Sequence, residues 1–273
     1  MAAPFKVGRV RTISLAAGTI LDVAPADAVD VAADAGFTSV GVWFDTATWT
    51  DAVADDVCSR AADRGLTILD IEPIMLSPAG STMLDHGEAI VDAAIRIGAR
   101  NILVASRDAD DGRVADRLHE LAVRLEGTDI RLVLEFLPIL GVRTLRQALS
   151  IVAAAAHPCL GVLVDNLHLS RAGHLPADLA SVDAHLLSYV QVCDAPAVPL
   201  DSSLPALVHE ALHGRQLPGE GGLPIVELLA VVPNVPISLE LRSEHLRKSY
   251  PNPVDRARSV RMAMERVLAA ESP

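Results

Sequence analysis

Short, uninterrupted apolar runs alternate along this chain with longer stretches in which Ala and Leu recur at three- and four-residue spacing. Runs of the first kind read as buried strands and stretches of the second as one-faced helices, because side chains alternate on a strand and return every 3.6 residues on a helix. The pattern predicts strands at 10–15, 39–43, 67–71, 101–105, 130–135, 160–165, 186–191 and 236–240. Between them it predicts helices at 26–35, 51–64, 85–98, 113–125, 144–155, 224–230 and 255–270, with a short turn at 177–179. Gly36, Gly65 and Gly98 stand where three of these helices should stop, as residues free to take a left-handed cap.

Strict strand–helix alternation points to a parallel sheet. The chain has 273 residues, which fits a (β/α)₈ (TIM) barrel of roughly 250 residues. The expectation is one α/β barrel over residues 1–273, with its active site at the carboxyl ends of the strands. An open doubly wound sheet normally carries a glycine-rich fingerprint after its first strand, and Ala16-Ala-Gly-Thr19 is not one. Residues 192–222 show no clear periodicity, and a loop of that length points to function.

Composition narrows the picture. Hydrophobic residues make up 51% of the chain and aromatic ones 3%, so Ala, Val, Leu and Ile must fill a large core. The formal charge of −12, from 23 basic and 35 acidic residues, disfavours phosphate backbones and anionic lipid, so neither nucleic acid nor membrane is an expected partner. No apolar stretch reaches the roughly 18 residues of a spanning helix. The start, Lys6 to Arg11 followed by Ile13 to Leu21, imitates a leader, but Asp22 follows at once and the fold needs a first strand there. Cys58, Cys159 and Cys193 form no metal-spaced pair and no even disulfide set, which suits a reducing cytoplasm. A homo-oligomer is left open.

The candidate chemistry sits at strand ends. Four consecutive predicted strands close on an oxygen donor: Glu135, Asp165, Gln191 and Glu240. In a parallel barrel these ends open on one face. Three carboxylates and an amide oxygen converging there describe a site for one hard divalent cation, Mn²⁺ or Mg²⁺, with Co²⁺ as the alternative. His168 lies one turn beyond Asp165, although Asp165 could instead cap a following helix. Trp43 and Glu72, ending the second and third strands, and Arg215, before the Pro218-Gly-Glu-Gly221 turn, are candidates for contacting substrate. Asp70 precedes Glu72 by two. His209 and His213 are four apart without a zinc-protease motif between them, and His157 reads as structural.

Five segments carry a family resemblance: Leu134-Glu-Phe136, Asp165-Asn-Leu-His168, Val190-Gln-Val-Cys-Asp-Ala-Pro196, Arg215-Gln-Leu-Pro-Gly-Glu-Gly221 and Ser238-Leu-Glu240. The chain resembles the xylose-isomerase-like TIM barrels, which include D-tagatose 3-epimerase, inosose isomerases and dehydratases, and bacterial 3-dehydroshikimate dehydratases. The resemblance implies metal ligands at Glu135, Asp165 and Glu240, and substrate contacts at His168 and Arg215. The fourth ligand is usually histidine in the epimerases. Gln191 in that position looks more like the dehydroshikimate dehydratase branch.

With Glu135 and Glu240 as acid and base beside the metal, an enediolate could be reprotonated to an isomer or epimer, or could expel a β-hydroxyl. The leading expectation is an isomerase or epimerase of a sugar-like hydroxy-ketone, with a dehydratase of the 3-dehydroshikimate or inosose type as the alternative. The small molecule bound would be a hydroxy-ketone or a cyclic, polyol-derived compound. The family's zinc endonucleases need many histidines and a basic face, which this chain lacks. A binding protein that had lost its metal is the non-enzymatic rival.

Overall fold

A computed structural model describes residues 11–270. Eight strands close a parallel barrel in chain order: β1 (Ile13–Leu15), β2 (Ser39–Trp43), β3 (Thr67–Leu76), β4 (Asn101–Ser106), β5 (Arg131–Glu135), β6 (Leu160–Asp165), β7 (Val190–Val192) and β8 (Ile237–Leu239). The seam closes where β8 pairs with β1, Ile237 against Ile13. Around it run α1 (Pro25–Asp34), α2 (Asp51–Arg64), α3 (Gly87–Ile97), α4 (Asp111–Val123), α5 (Leu145–Ala155), α6 (Asn166–Arg171), α7 (Leu204–His213), α8 (Ile225–Val231), α9 (Glu244–Ser249) and α10 (Pro253–Ala270).

The strands are buried on both faces, which is why they read as continuous apolar runs. Their outer faces join the helices in one large aliphatic core. Their inner faces form a smaller one from Leu69, Leu103, Ala105, Val133, Leu163 and Tyr189. Gly36, Gly65 and Gly98 follow their helices at φ of 85°, 66° and 66°, as helix-stopping glycines do.

The structure departs from the sequence reading in several places. Val10, expected in the first strand, lies outside the described residues. The third strand continues to Leu76, so Glu72 sits within it rather than ending it. It holds Pro73 beside a register irregularity between Ile71 and Ile74, where a missing N–H is tolerated. The seventh strand begins only at Val190, because residues Ala184–Leu186 turn as a 3₁₀ helix. The eighth ends at Leu239, and Glu240 is the first residue of the loop.

Besides α6, which only the capping alternative at Asp165 allowed for, two helices escaped the periodicity. Within the stretch read as aperiodic, α7 begins with Pro205 in its first turn, and apolar side chains lie on more than one of its faces, with Leu204 56% exposed. His209 and His213, exposed and four residues apart, give it a polar face, but its apolar residues spread around the rest of a helix only ten residues long. The other is α9, only six residues long and capped by the Ser243 hydroxyl, which accepts from the Leu246 N–H at 3.2 Å.

Candidate active site

Alternation along the strands aims the candidate ligands inward. Val133, Leu163 and Tyr189 belong to the inner core, and Glu135, Asp165 and Gln191 follow each of them by two residues. Asp165 also pairs in register with Gln191 across β6 and β7. Asp165 and Gln191 are fully buried, and Glu135 and Glu240 are 6% and 7% exposed. Gly18 faces Glu240 so closely that a Cβ there would lie 2.4 Å from Glu240 Oε1, so only glycine leaves the carboxylate its room.

Asp165 does two things at once. Its Oδ1 caps α6, accepting from the Leu167 and His168 N–H groups at 2.8 and 3.2 Å. Its Oδ2 meets Arg215 Nη1 at 2.5 Å. The capping alternative is therefore realised, and it orients the carboxylate that the metal reading needs. Arg215 is 3% exposed and also lies 3.1 Å from Glu240 Oε2. Its position is set by Asp194, the acid in the Gln191-to-Pro196 segment. Asp194 accepts from the Gly219 and Leu223 N–H groups at 2.9 and 3.0 Å, and its backbone bridges to Gln216. The Pro218–Gly221 turn is thus a surface turn that delivers a cation.

Charge is badly balanced here. Burial, with Asp70 and Glu240 nearby, pushes the Glu72 carboxyl well above the usual range. Burial, with Glu240 and Asp165, does the same to Glu135. Burial and Glu240 raise Asp70 to about 7. Glu240 is raised by burial against the opposing charge of Arg215. Burial would raise Asp165 too, but Arg215 overrides it and holds that carboxyl below its ordinary value. His168, 3% exposed, is lowered by burial to about 4 and stays neutral at pH 7. Its Nε2 stands 3.9 Å from Glu135 Oε1.

A cavity of about 430 Å³ opens over this cluster. Trp43, Glu72, Glu135, His168, Arg215 and Glu240 all line it, so it gathers every residue expected to contact substrate or exchange protons. Asp165 and Gln191 lie beneath its wall. The opposite wall is apolar, built by residues such as Leu103, Leu137, Ile139 and Leu140, with Val208, Ala211 and Leu212 of α7. His209 and His213 stack on each other, with centroids 5.3 Å apart, and neither lines the cavity. His157 is occupied with Cys159 at 3.2 Å. Reading the sequence missed Arg242, Arg107 and α7 as parts of the site. A strand-end rule could have found Arg107, which directly follows β4, and Arg242, two residues beyond Glu240.

Can these residues hold a metal? Ligand atoms of Glu135, Asp165 and His168 all lie within 4.8 Å of one another. Both amide atoms of the buried Gln191 lack a hydrogen-bond partner, as do both carboxylate oxygens of Asp70. Buried polar groups are rarely left so. An oxygen-rich, electron-rich and under-satisfied cluster of this kind fits a divalent cation, and His168 joins the expected donors.

A family model described as xylose isomerase-like TIM barrel matches residues 29–266. The chain belongs to that family. Among curated members, it is 29% identical over 269 residues to a 3-dehydroshikimate dehydratase of Pseudomonas aeruginosa, covering 92% of this chain and 40% of that protein. The chain thus spans about two fifths of that relative. Among solved members of the fold, the IOLI protein with a bound zinc atom superposes at TM-score 0.80 with 15% identity, over 95% of this chain and 99% of that one. The probable 3-DHS dehydratase AsbF from Bacillus anthracis, involved in petrobactin synthesis, superposes at 0.70 with 18% identity, over 93% and 98%. The curated relative is itself an enzyme, named as a dehydratase. Among the described residues no helix is long and apolar enough to cross a membrane.

Proposed function

We propose that the protein is a divalent-metal-dependent dehydratase that removes water from a cyclic hydroxy-ketone acid of the 3-dehydroshikimate type. Sequence reading alone preferred an isomerase or epimerase. The curated relative shifts the balance to the lyase alternative, and Gln191 in the fourth ligand position agrees with it. The observation that carries the reading is the buried His168, its Nε2 3.9 Å from Glu135 Oε1, in a cavity acidic on one side and apolar on the other.

Glu135, Asp165, Gln191 and Glu240 would hold the cation, with His168 beside them. When bound, such a cation supplies Lewis-acid polarisation of the ketone oxygen. His168, neutral at pH 7, accepts the proton from the carbon next to the ketone. The protonated His168 returns that proton to the β-hydroxyl as its C–O bond breaks, with Glu240, opposite Gly18, kept as a carboxylate that would hold the cation. Water departs, and the remaining dienone aromatises as a ring carbon gives up a proton and the ketone oxygen takes one, so one water is released per turnover with no other change in composition. Arg215 keeps Asp165 and Glu240 oriented, and Trp43 and Glu72 close the remaining sides of the ring. General acid and base groups of this kind contribute about 10²–10⁴-fold each.

The test is direct. Protein loaded with Mg²⁺, Mn²⁺ or Co²⁺ is mixed with 3-dehydroshikimate, and the absorbance of 3,4-dihydroxybenzoate is followed before and after chelation. Metal-dependent product formation is expected. Metal-dependent isomerisation of a keto-sugar with no aromatic product would return the reading to the isomerase class.

A further inference from the structure

The cavity holds a cation that the chemistry above does not use. Arg242 leaves the barrel two residues after Glu240 and lies with its guanidinium carbon 5.9 Å from the Trp43 ring centroid. Its side chain makes no ion pair or hydrogen bond among the described residues, and its Nε is buried without a partner. Other arginines of the barrel are treated differently. Arg215 neutralises Asp165 and Glu240, and Arg171 is locked to Glu210 at 2.7 Å. A half-buried guanidinium held over an aromatic face with its donors uncommitted is a prepared anion receptor, because its planar fork matches a carboxylate.

The rest of the cavity limits what the anion is attached to. The wall of Leu103, Leu137, Ile139 and Leu140 offers no hydrogen bonds to a hydroxyl-bearing sugar chain. It suits the flat, apolar edge of a ring. Arg107 also lines the cavity, but it is exposed and has no aromatic platform or buried unpartnered nitrogen.

We infer that Arg242 is the specificity-determining residue that anchors the carboxylate of a ring acid, so that the site selects cyclic acids over neutral hydroxy-ketones. This deepens the dehydratase reading and rests on it for the orientation of the substrate. The fork would grip the carboxylate at one end of the ring, leaving the oxygen-bearing end to the acidic cluster.

Binding of 3,4-dihydroxybenzoate and of its methyl ester to the metal-loaded protein tests this, because the two differ only at the carboxylate. Wild type should prefer the acid, and Arg242→Gln should weaken the acid by about 10- to 100-fold while leaving the ester unchanged, the cost of losing a charge-assisted hydrogen bond. Arg242→Lys should recover part of the preference, which separates recognition from misfolding. A role confined to tuning the nearby carboxylates would move acid and ester together. The inference is overturned if wild type binds acid and ester alike, if it binds neither, or if Arg107→Gln and not Arg242→Gln removes the preference. An intact, Arg242-dependent preference in a protein that does not dehydrate 3-dehydroshikimate would sink the proposed reaction and leave the anchor standing.

Discussion

The outer ring of helices and the mouth of the barrel treat charge in opposite ways. On the ring, arginines are surrounded by acids: Arg60 meets Asp27, Asp30 and Asp56, Arg96 meets Asp51 and Asp55, and Arg117 meets Asp85, Glu88 and Glu120. These pairs stand largely in water, where each contributes little. In the mouth, Asp70, Glu72, Glu135 and Glu240 are buried, with Arg215 and Arg242 acting on them and the exposed Arg107 at the rim. Buried, like-charged groups cost stability. The chain therefore keeps its balanced charge where it matters least and concentrates unbalanced charge where a cation would fit. Acidic excess in the sequence as a whole, −12, does not by itself reveal that division.

The largest effect should come from neutralising one member of the mouth. Glu135→Gln, which removes a charged donor to the cation and the carboxylate beside the His168 base, is expected to lower turnover by about 10²–10⁴-fold. It should also leave the metal-free protein as stable as wild type or more so, because a repelled carboxyl is removed. Steady-state kinetics and thermal melts of the same samples check both halves. A loss of stability together with activity would mean that Glu135 is structural.

pH sharpens the contrast next. Above its ordinary value and up to about 7, the folded chain keeps a proton on Asp70 that the unfolded chain has released. Unfolding then releases protons, so this contribution to stability is present at low pH and lost as pH rises. Glu72 and Glu135, also raised, act in the same direction. His168, lowered to about 4, acts oppositely below the ordinary histidine value of about 6.5, where unfolding takes up a proton. As pH rises from 6.5 through about 7 the raised carboxyls act in one direction, so the metal-free protein should melt at progressively lower temperature. Asp70→Asn should flatten that slope, and an unchanged slope would remove Asp70 from the explanation.

Much of this was legible in the sequence because the strands are buried on both faces and end on polar residues. Glu135, Asp165 and Gln191 could be aimed inward by counting in twos, and Glu240 could be placed within a residue of its strand. What stayed hidden depended on contacts rather than on period. The continuation of β3 past Glu72 rests on an irregular register, and the short α7 lies within a stretch whose apolar residues do not fall on one face. Arg242 becomes visible as part of the site only when Trp43 is seen beneath it. The position of Arg215 depends on Asp194, 21 residues earlier in sequence and joined to its turn by hydrogen bonds.

On the ring, the expected effects are smaller. Arg117→Ala, which breaks one of the two clusters of three acids, should cost about 1 kcal/mol in denaturant unfolding and leave turnover intact. Arg96→Ala, whose acidic partners are 87% and 66% exposed, should change neither measurably. A ring variant that abolished activity would break the separation between the two regions.

One measurement bears most directly on the claim that the mouth is built for a cation: the melting temperature of metal-free protein titrated with Mn²⁺ at pH 7.5. A saturable rise is expected, ending at one ion per chain by metal analysis, steeper at pH 7.5 than at pH 5.5, and lost in Asp165→Asn. A melting temperature indifferent to Mn²⁺, Mg²⁺ and Co²⁺, with no metal retained, would contradict it.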